Sequence, residues 1–384
     1  MTVANLHPQL AAVARKDFAI HQECRGRVIG PSTAQRPPYT SPPRRPTWKT
    51  VPLLRTDVNT GTRFAPDRPT VSDPVSRAGV DAMIWLHDLA RNHGHELLLA
   101  DNMQPIIDDF INRTVRYSVL GITLIIVLDG RRVGGKGTVD TGRANVRGDA
   151  QDRVCEYLIR RDNPDQLDDD ESGATIDDRT VAAAVSVDDE MITAVVRAMR
   201  RLGVAVVKAP YEADAQLAAL DALDLVQYVM SEDGDLIVYG CRRVLTKVQP
   251  NGLCVLYVHE DLSKITDQTL KHCPLPKLIR KWGPGILRWY AMLAGCDYCK
   301  LEGWGPERAM KALSKVTKTS GLVVEELPME RVLTAMRTVA GAAVPDDAAA
   351  RIAAGLAVYE RQVPTQPTQA THQALAPRQA SRLI

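Results

Sequence analysis

Two apolar, β-branched runs, Val204-Ala-Val-Val207 and Leu225-Val-Gln-Tyr-Val-Met230, are each followed within a few residues by two acids spaced by one residue, Glu212/Asp214 and Asp233/Asp235. Runs of this kind read as buried strands. Two parallel strands deliver four carboxylates to one edge of a sheet, where open α/β folds keep their sites. Four convergent carboxylates do not all ionise side by side unless cations neutralise them. Oxygen donors without His or Cys favour Mg²⁺ or Mn²⁺. Helix capping explains one such pair equally well; it is a poorer account of two pairs with further acids nearby.

Composition sets the frame. Apolar residues make up 45% of the 384, enough for a sizeable core, and with only 3 Phe the packing falls to aliphatic side chains. A net charge of +2 neither demands nor excludes nucleic acid. No window approaches the ~18 continuous apolar residues of a membrane span, and no apolar stretch follows the start as in a secretory signal. The seven cysteines are scattered, which fits a reducing compartment. Cys296-x-x-Cys299 has no second pair, so buried small side chains are expected there rather than zinc.

Along the chain, residues 1–75 are rich in Pro and carry Arg36, Arg44, Arg45 and Lys49, the composition of an extended or disordered basic arm. Order is expected from about Ala78, with a strand ending at Asp81 and running into a helix. A helix is predicted over 103–119, then a wholly apolar strand, Gly121–Leu128, ending at Asp129. A Gly-rich basic loop follows, with Lys136 and Arg143, of the kind that can grip a phosphodiester. Residues 150–161 read as helix and 162–185 as an acidic disordered insertion around Asp168-Asp-Asp-Glu171. A helix over 187–202, capped by Ser186, leads to the strand at 204–207. Leu236–Tyr239, Arg243–Val248 and Leu253–Val258 read as short strands. Residues 276–316 are largely helical, with a turn at Gly303-Trp-Gly305-Pro306 whose helix offers free N-terminal amides to a phosphate. An Ala-rich helix is predicted over 329–358, then a polar tail from 364 to 384.

Four blocks together carry a resemblance. Ala209-Pro-Tyr-Glu-Ala-Asp-Ala-Gln-Leu217, Ser231-Glu-Asp-Gly-Asp-Leu236, Gly295-Cys-Asp-Tyr298 and Val80-Asp-Ala-Met-Ile-Trp-Leu-His87 resemble motifs of the flap endonuclease/XPG family of structure-specific 5′ nucleases. The Trp-Leu-His ending is similar to the exonuclease 1 version of the first block. The likeness covers about residues 78–363. It implies an α/β, PIN-like nuclease domain with a central parallel sheet and a helical helix-two-turn-helix region that binds DNA. The family's seven metal-site carboxylates match Asp81, Asp129, Glu212, Asp214, Asp233, Asp235 and Asp297.

From the resemblance come the roles. Two Mg²⁺ ions, with Mn²⁺ able to substitute, help generate the attacking hydroxide and stabilise charge on the phosphate and leaving oxygen. Lys136 and Arg143, seven and fourteen residues after the second acid, match two cations that contact the scissile phosphate. His87 matches a residue that packs near the terminal nucleotide, and Gly303 and Gly305 match the hairpin that grips duplex DNA with a K⁺ ion. The stretch from Asp297 to that hairpin is about one residue shorter than usual.

The start departs from the pattern. Family members open Met-Gly-Ile, with the glycine close to the active site; this chain opens Met1-Thr-Val and a Pro-rich arm. No sliding-clamp motif is present.

The expectation is a nuclear, monomeric, Mg²⁺-dependent 5′→3′ exonuclease and 5′-flap endonuclease acting on DNA with 5′ ends, nicks or flaps, alongside mismatch-repair or replication factors. The alternatives are a dedicated flap endonuclease and a catalytically impaired DNA-binding homologue. The expected organisation is a basic arm (1–75), an N-terminal nuclease region (76–161), the insertion (162–185), an internal nuclease region (186–262), a helix-two-turn-helix and helical region (263–363) and a tail (364–384).

Overall fold

The computed structural model describes residues 15–19, 55–56, 63–64, 76–119, 122–131, 137–162, 175–248, 253–264, 275–316, 324, 327–339, 341 and 343–361. Its strands are β1 (Arg15–Ala19), β2 (Arg55–Thr56), β3 (Arg63–Phe64), β4 (Ser76–Asp81), β5 (Ile122–Leu128), β6 (Ala205–Lys208), β7 (Tyr228–Met230), β8 (Arg243–Thr246) and β9 (Leu253–Val258). Seven form one sheet in the order β1-β9-β8-β7-β4-β5-β6, while β2 and β3 pair with each other apart from it. From β8 through β7, β4 and β5 to β6 every pairing is parallel; β9 and β1 add antiparallel. This is the mostly parallel α/β architecture expected from the sequence.

Both faces of the sheet are covered, which is why β5 is apolar and buried from Leu124 to Leu128 rather than alternating, with only Thr123 polar and exposed. Ile125 and Val127 belong to one core; Leu124, Ile126 and Leu128 belong to the other. The second core is sealed by α1 (Ala82–Asn92), with α2 (Gly94–Leu99) beyond it, and by α3 (Gln104–Val119). Trp85 lies edge-on to Phe110 and stacks on Tyr117 there. Next come α4 (Gly137–Asp162), α5 (Asp178–Ala184), and α6 (Asp189–Arg201), whose Met191, Val195 and Met199 bury on the same side.

The first core holds α7 (Ala213–Ala222), α8 (Asp235–Tyr239) and a helical C-terminal region. That region comprises α9 (Leu275–Trp282), α10 (Ile286–Ala294), α11 (Pro306–Lys315), α12 (Met329–Arg337) and α13 (Ala348–Arg361). Helix α10 is buried on nearly every side. At Gly355 the α13 backbone lies so close to α10 that an added Cβ would overlap Met292 Sδ and approach Cys299 Cβ to 3.2 Å.

Several expectations change. Leu236–Tyr239 is helix, not strand, closed by Gly240 at φ 89°. The cap of α6 is Asp188, whose carboxylate accepts from the Met191 N–H at 2.8 Å, and not Ser186. The helix foreseen over 150–161 starts at Gly137. The single helix over 329–358 is two, parted by a stretch with Gly341 at φ 71° and Pro345. Inside the expected acidic insertion, Asp178–Ala184 is helix, with Asp177 accepting from Thr180 N–H. Inside the expected arm, Arg15–Ala19 is the edge strand beside β9. Arg55–Thr56 and Arg63–Phe64, also inside that arm, pair as β2 and β3; the remaining arm residues, the Asp168–Glu171 centre and the 364–384 tail lie outside the described residues.

Cys296 and Cys299 are buried and their backbones close a tight turn, Cys296 N–H to Cys299 O at 2.9 Å. Among the described residues no helix is long and apolar enough to cross a membrane.

Candidate active site

Four adjacent parallel strands, β7, β4, β5 and β6, end on the same edge of the sheet, and six of the seven predicted acids follow those ends. Asp81 closes β4 and caps α1, its Oδ1 accepting from the N–H groups of Met83 at 3.0 Å and Ile84 at 3.3 Å. Asp129 follows β5, and its Oδ1 accepts from Ala213 N–H at 2.8 Å. Glu212 stands at the N-cap position of α7 without capping it, and Asp214 is in that helix's first turn. Asp233 follows β7 and accepts from Asp235 N–H at 2.8 Å; Asp235 opens α8.

The local geometry has a backbone cause. Gly130 N–H donates to Tyr211 O at 2.5 Å and Arg131 N–H to Pro210 O at 2.9 Å, clasping the loops after β5 and β6. A Cβ on Gly130 would overlap the Ala209 carbonyl oxygen and lie 2.7 Å from the Pro210 carbonyl carbon, so only glycine permits this approach.

The acids share one electrostatic field. Burial, then the charge of Asp129, push the Asp81 carboxyl up to about 7, against the pull of the Ile84 and Met83 N–H groups. Burial, then Asp233, Asp81, Asp235 and Glu212 in turn, hold Asp214 well above the usual carboxylate range. The Asp214 side chain is partly covered, yet its Oδ1 is sealed from solvent with no hydrogen-bond donor. A buried, unsatisfied carboxylate oxygen among like charges suits a hard cation. As the side chains stand, no three His, Cys, Asp or Glu among the described residues gather tightly enough to hold one ion.

Asp297, the seventh acid, is half-buried in the turn between α10 and α11. Its neighbours face the cluster. Tyr298 O–H donates to Glu212 Oε2, and Asp235 adds to the upward push on the Cys296 thiol. Tyr298 and Ser231 were not singled out for a role from sequence. Ser231 Oγ accepts from Asp233 N–H at 3.1 Å and lies 3.4 Å from Asp81 Oδ2. Each stands within two residues of an acid in the quoted blocks, which is the signal that could have found them.

The remaining predicted residues spread outward. His87 is exposed on α1. Lys136 lies outside the described residues, and Arg143 is placed only as backbone within α4. Gly303, at φ 71°, and Gly305 form the approach to α11, with Pro306 at its first turn. The Arg308 guanidinium donates to the carbonyls of Gly303 and of Gly341, the latter at 2.8 Å.

Comparison with known proteins follows these landmarks. Residues 203–297 match the XPG I-region. The exodeoxyribonuclease 1 of Schizosaccharomyces pombe is 27% identical over 238 residues, covering 62% of this chain and 38% of that protein. The exonuclease 1 of Danio rerio is 31% identical over 237 residues, covering 61% of this chain and 27% of that protein. The chain therefore spans well under half the length of these relatives. Among solved structures, the catalytic core of Rad2 in complex with DNA substrate has a TM-score of 0.48 at 19% identity, covering 75% of this chain and 79% of that one.

Proposed function

From an XPG I-region set within a chain similar to exonuclease 1 proteins, we propose that this protein is a structure-specific 5′ nuclease that hydrolyses DNA phosphodiesters. It removes nucleotides 5′→3′ from duplex ends and cuts 5′ flaps. The observation that carries the reading is the ring of carboxylates on one sheet edge, with a sealed, donor-less oxygen on Asp214. In it Asp81, Asp129, Glu212, Asp214, Asp233, Asp235 and Asp297 hold two Mg²⁺ ions, for which Mn²⁺ substitutes. Bound there, the ions supply charge neutralisation at the phosphate and leaving oxygen.

The chain's own groups do the rest. Lys136 and Arg143 contact the scissile phosphate and stabilise its developing charge. His87 stacks near the terminal base. The N-terminal amides of α11, beyond Gly303 and Gly305, hold a phosphate of the uncleaved duplex strand. A K⁺ ion at the Gly303–Gly305 hairpin would add to this grip on the backbone. Backbone contacts of this kind select shape rather than sequence. The substrates are DNA ends, nicks and 5′ flaps, the setting is repair or replication in the nucleus, and the acting unit is a monomer.

The rival reading is a homologue that binds DNA without cutting it. End-labelled 5′-recessed duplex and 5′-flap DNA, incubated with protein and Mg²⁺ beside an Asp233→Ala, Asp235→Ala variant, separates the two. Cleavage that vanishes with EDTA and in the variant is expected, and product sizes distinguish exonuclease from dedicated flap endonuclease. Folded protein that binds these DNAs and leaves them intact overturns the nuclease reading.

A further inference from the structure

We infer that Tyr298 is a positioning residue for Glu212, and that the C-terminal helix α13 backs it. The inference rests on the metal-dependent reading above. Glu212 stands at the start of α7 but makes no capping bond to it, so its own helix does not orient the carboxylate. Tyr298 O–H donates to Glu212 Oε2. Donors behind metal ligands commonly fix the orientation of the carboxylate they hold.

The ring that carries this hydroxyl is locked. Tyr298 is 9% exposed. Its ring meets Tyr359 edge-on, with centroids 5.3 Å apart and planes at 90°. Tyr359 in turn lies 4.7 Å from Tyr239, the last residue of the helix that Asp235 opens. Three rings therefore tie the Glu212 loop and the Asp235 helix to the end of α13. One turn before Tyr359, Gly355 lets α13 press against Met292 and Cys299, setting the height of the stack.

Mn²⁺ binding to the full chain without DNA, followed by electron paramagnetic resonance and calorimetry, tests the inference in wild type, Tyr298→Phe, Glu212→Gln and the double variant. Tyr298→Phe should weaken binding about tenfold or more, and the loss should disappear in the Glu212→Gln background. The Mg²⁺ concentration for half-maximal cleavage should rise in step, with little change at saturating Mg²⁺. Tyr359→Phe keeps the ring and loses a buried hydroxyl that has no partner; it should bind Mn²⁺ as wild type does. Tyr359→Ala removes the backing and should weaken binding, which keeps the test alive if Tyr298→Phe does not fold. Unchanged Mn²⁺ affinity in Tyr298→Phe, or an equal loss with and without Glu212, overturns the inference. Coupled Mn²⁺ binding in a protein that cuts no DNA overturns only the nuclease reading.

Discussion

Ala213 donates its main-chain N–H to Asp129 Oδ1 at 2.8 Å. That bond joins the end of β5 to the first residue of α7, across the gap between two neighbouring parallel strands. Asp129 is otherwise exposed, so the bond fixes a carboxylate that would wander on a loop. Together with the Gly130 and Arg131 clasps it makes the two acid loops one unit.

Replacing Gly130 should break that unit. A methyl group there overlaps the Ala209 carbonyl, which is backbone and cannot rotate away. Gly130→Ala should cost ~2 kcal/mol or more, in the range of overpacked cores. Thermal unfolding measures it, and wild-type stability in the variant would show that the loops part easily.

Asp214→Asn tests the crowding of charge. The carboxyl is held well above its usual range by burial and four like charges. Removing its charge should stabilise the metal-free protein by on the order of 1 kcal/mol while lowering cleavage. Unfolding in EDTA together with the cleavage assay decides; destabilisation in EDTA would mean the charge is already compensated.

Metal-free stability should fall as pH rises. The Asp81 carboxyl titrates near 3.8 ordinarily and is pushed up to about 7 in the fold, burial being the largest cause. Between these values the folded protein holds a proton that the unfolded chain has lost. The advantage is complete below about pH 4 and is gone above about 7. Midpoints in EDTA should therefore be lower at pH 8 than at pH 5, and Mg²⁺ should raise them more at pH 8, where it displaces no proton. A Mg²⁺ gain that is equal at both pH values would speak against binding at these acids.

Arg242→Ala probes a support behind the site. Asp221 is almost fully buried, and Arg242 serves it with its backbone N–H at 2.8 Å and with Nε at 3.3 Å, while also reaching Asp224. The guanidinium is about half exposed, which softens the loss. Asp221 keeps the main-chain N–H and loses the guanidinium, so unfolding should show a cost of ~1 kcal/mol. Arg242→Lys should recover only part, since Lys lacks the planar fork.

Much of this was legible in sequence, for physical reasons that also mark where legibility stops. β5 and the run before Asp233 are buried on both faces, so continuous apolar sequence announces them and the acids at their ends; the run before Glu212 is a half-buried edge strand, β6, that carries the same β-branched signature. Leu236–Tyr239 misled because four apolar residues fit a buried strand or a buried helical turn equally. Gly240, in left-handed backbone, was the cue for a helix end. Gly341 and Pro345 likewise marked the break between α12 and α13. Helix α4 begins in a stretch with Gly142 and Gly148, where propensity argues against it. The pairing of Arg15–Ala19 with β9 has no local signature at all. Tyr298 was visible as a letter beside Asp297, but its bond to Glu212 belongs to the folded chain.

The strand order has a consequence for how the protein comes into being. β4 is made early yet lies between β5 and β7, and acids drawn together around it come from positions as distant as 81 and 235. A chain leaving the ribosome thus exposes its acidic loops one at a time, and the brace at Tyr359 is synthesised after all of them. Fragments cut short before that point carry the acids but not the ring that backs Tyr298.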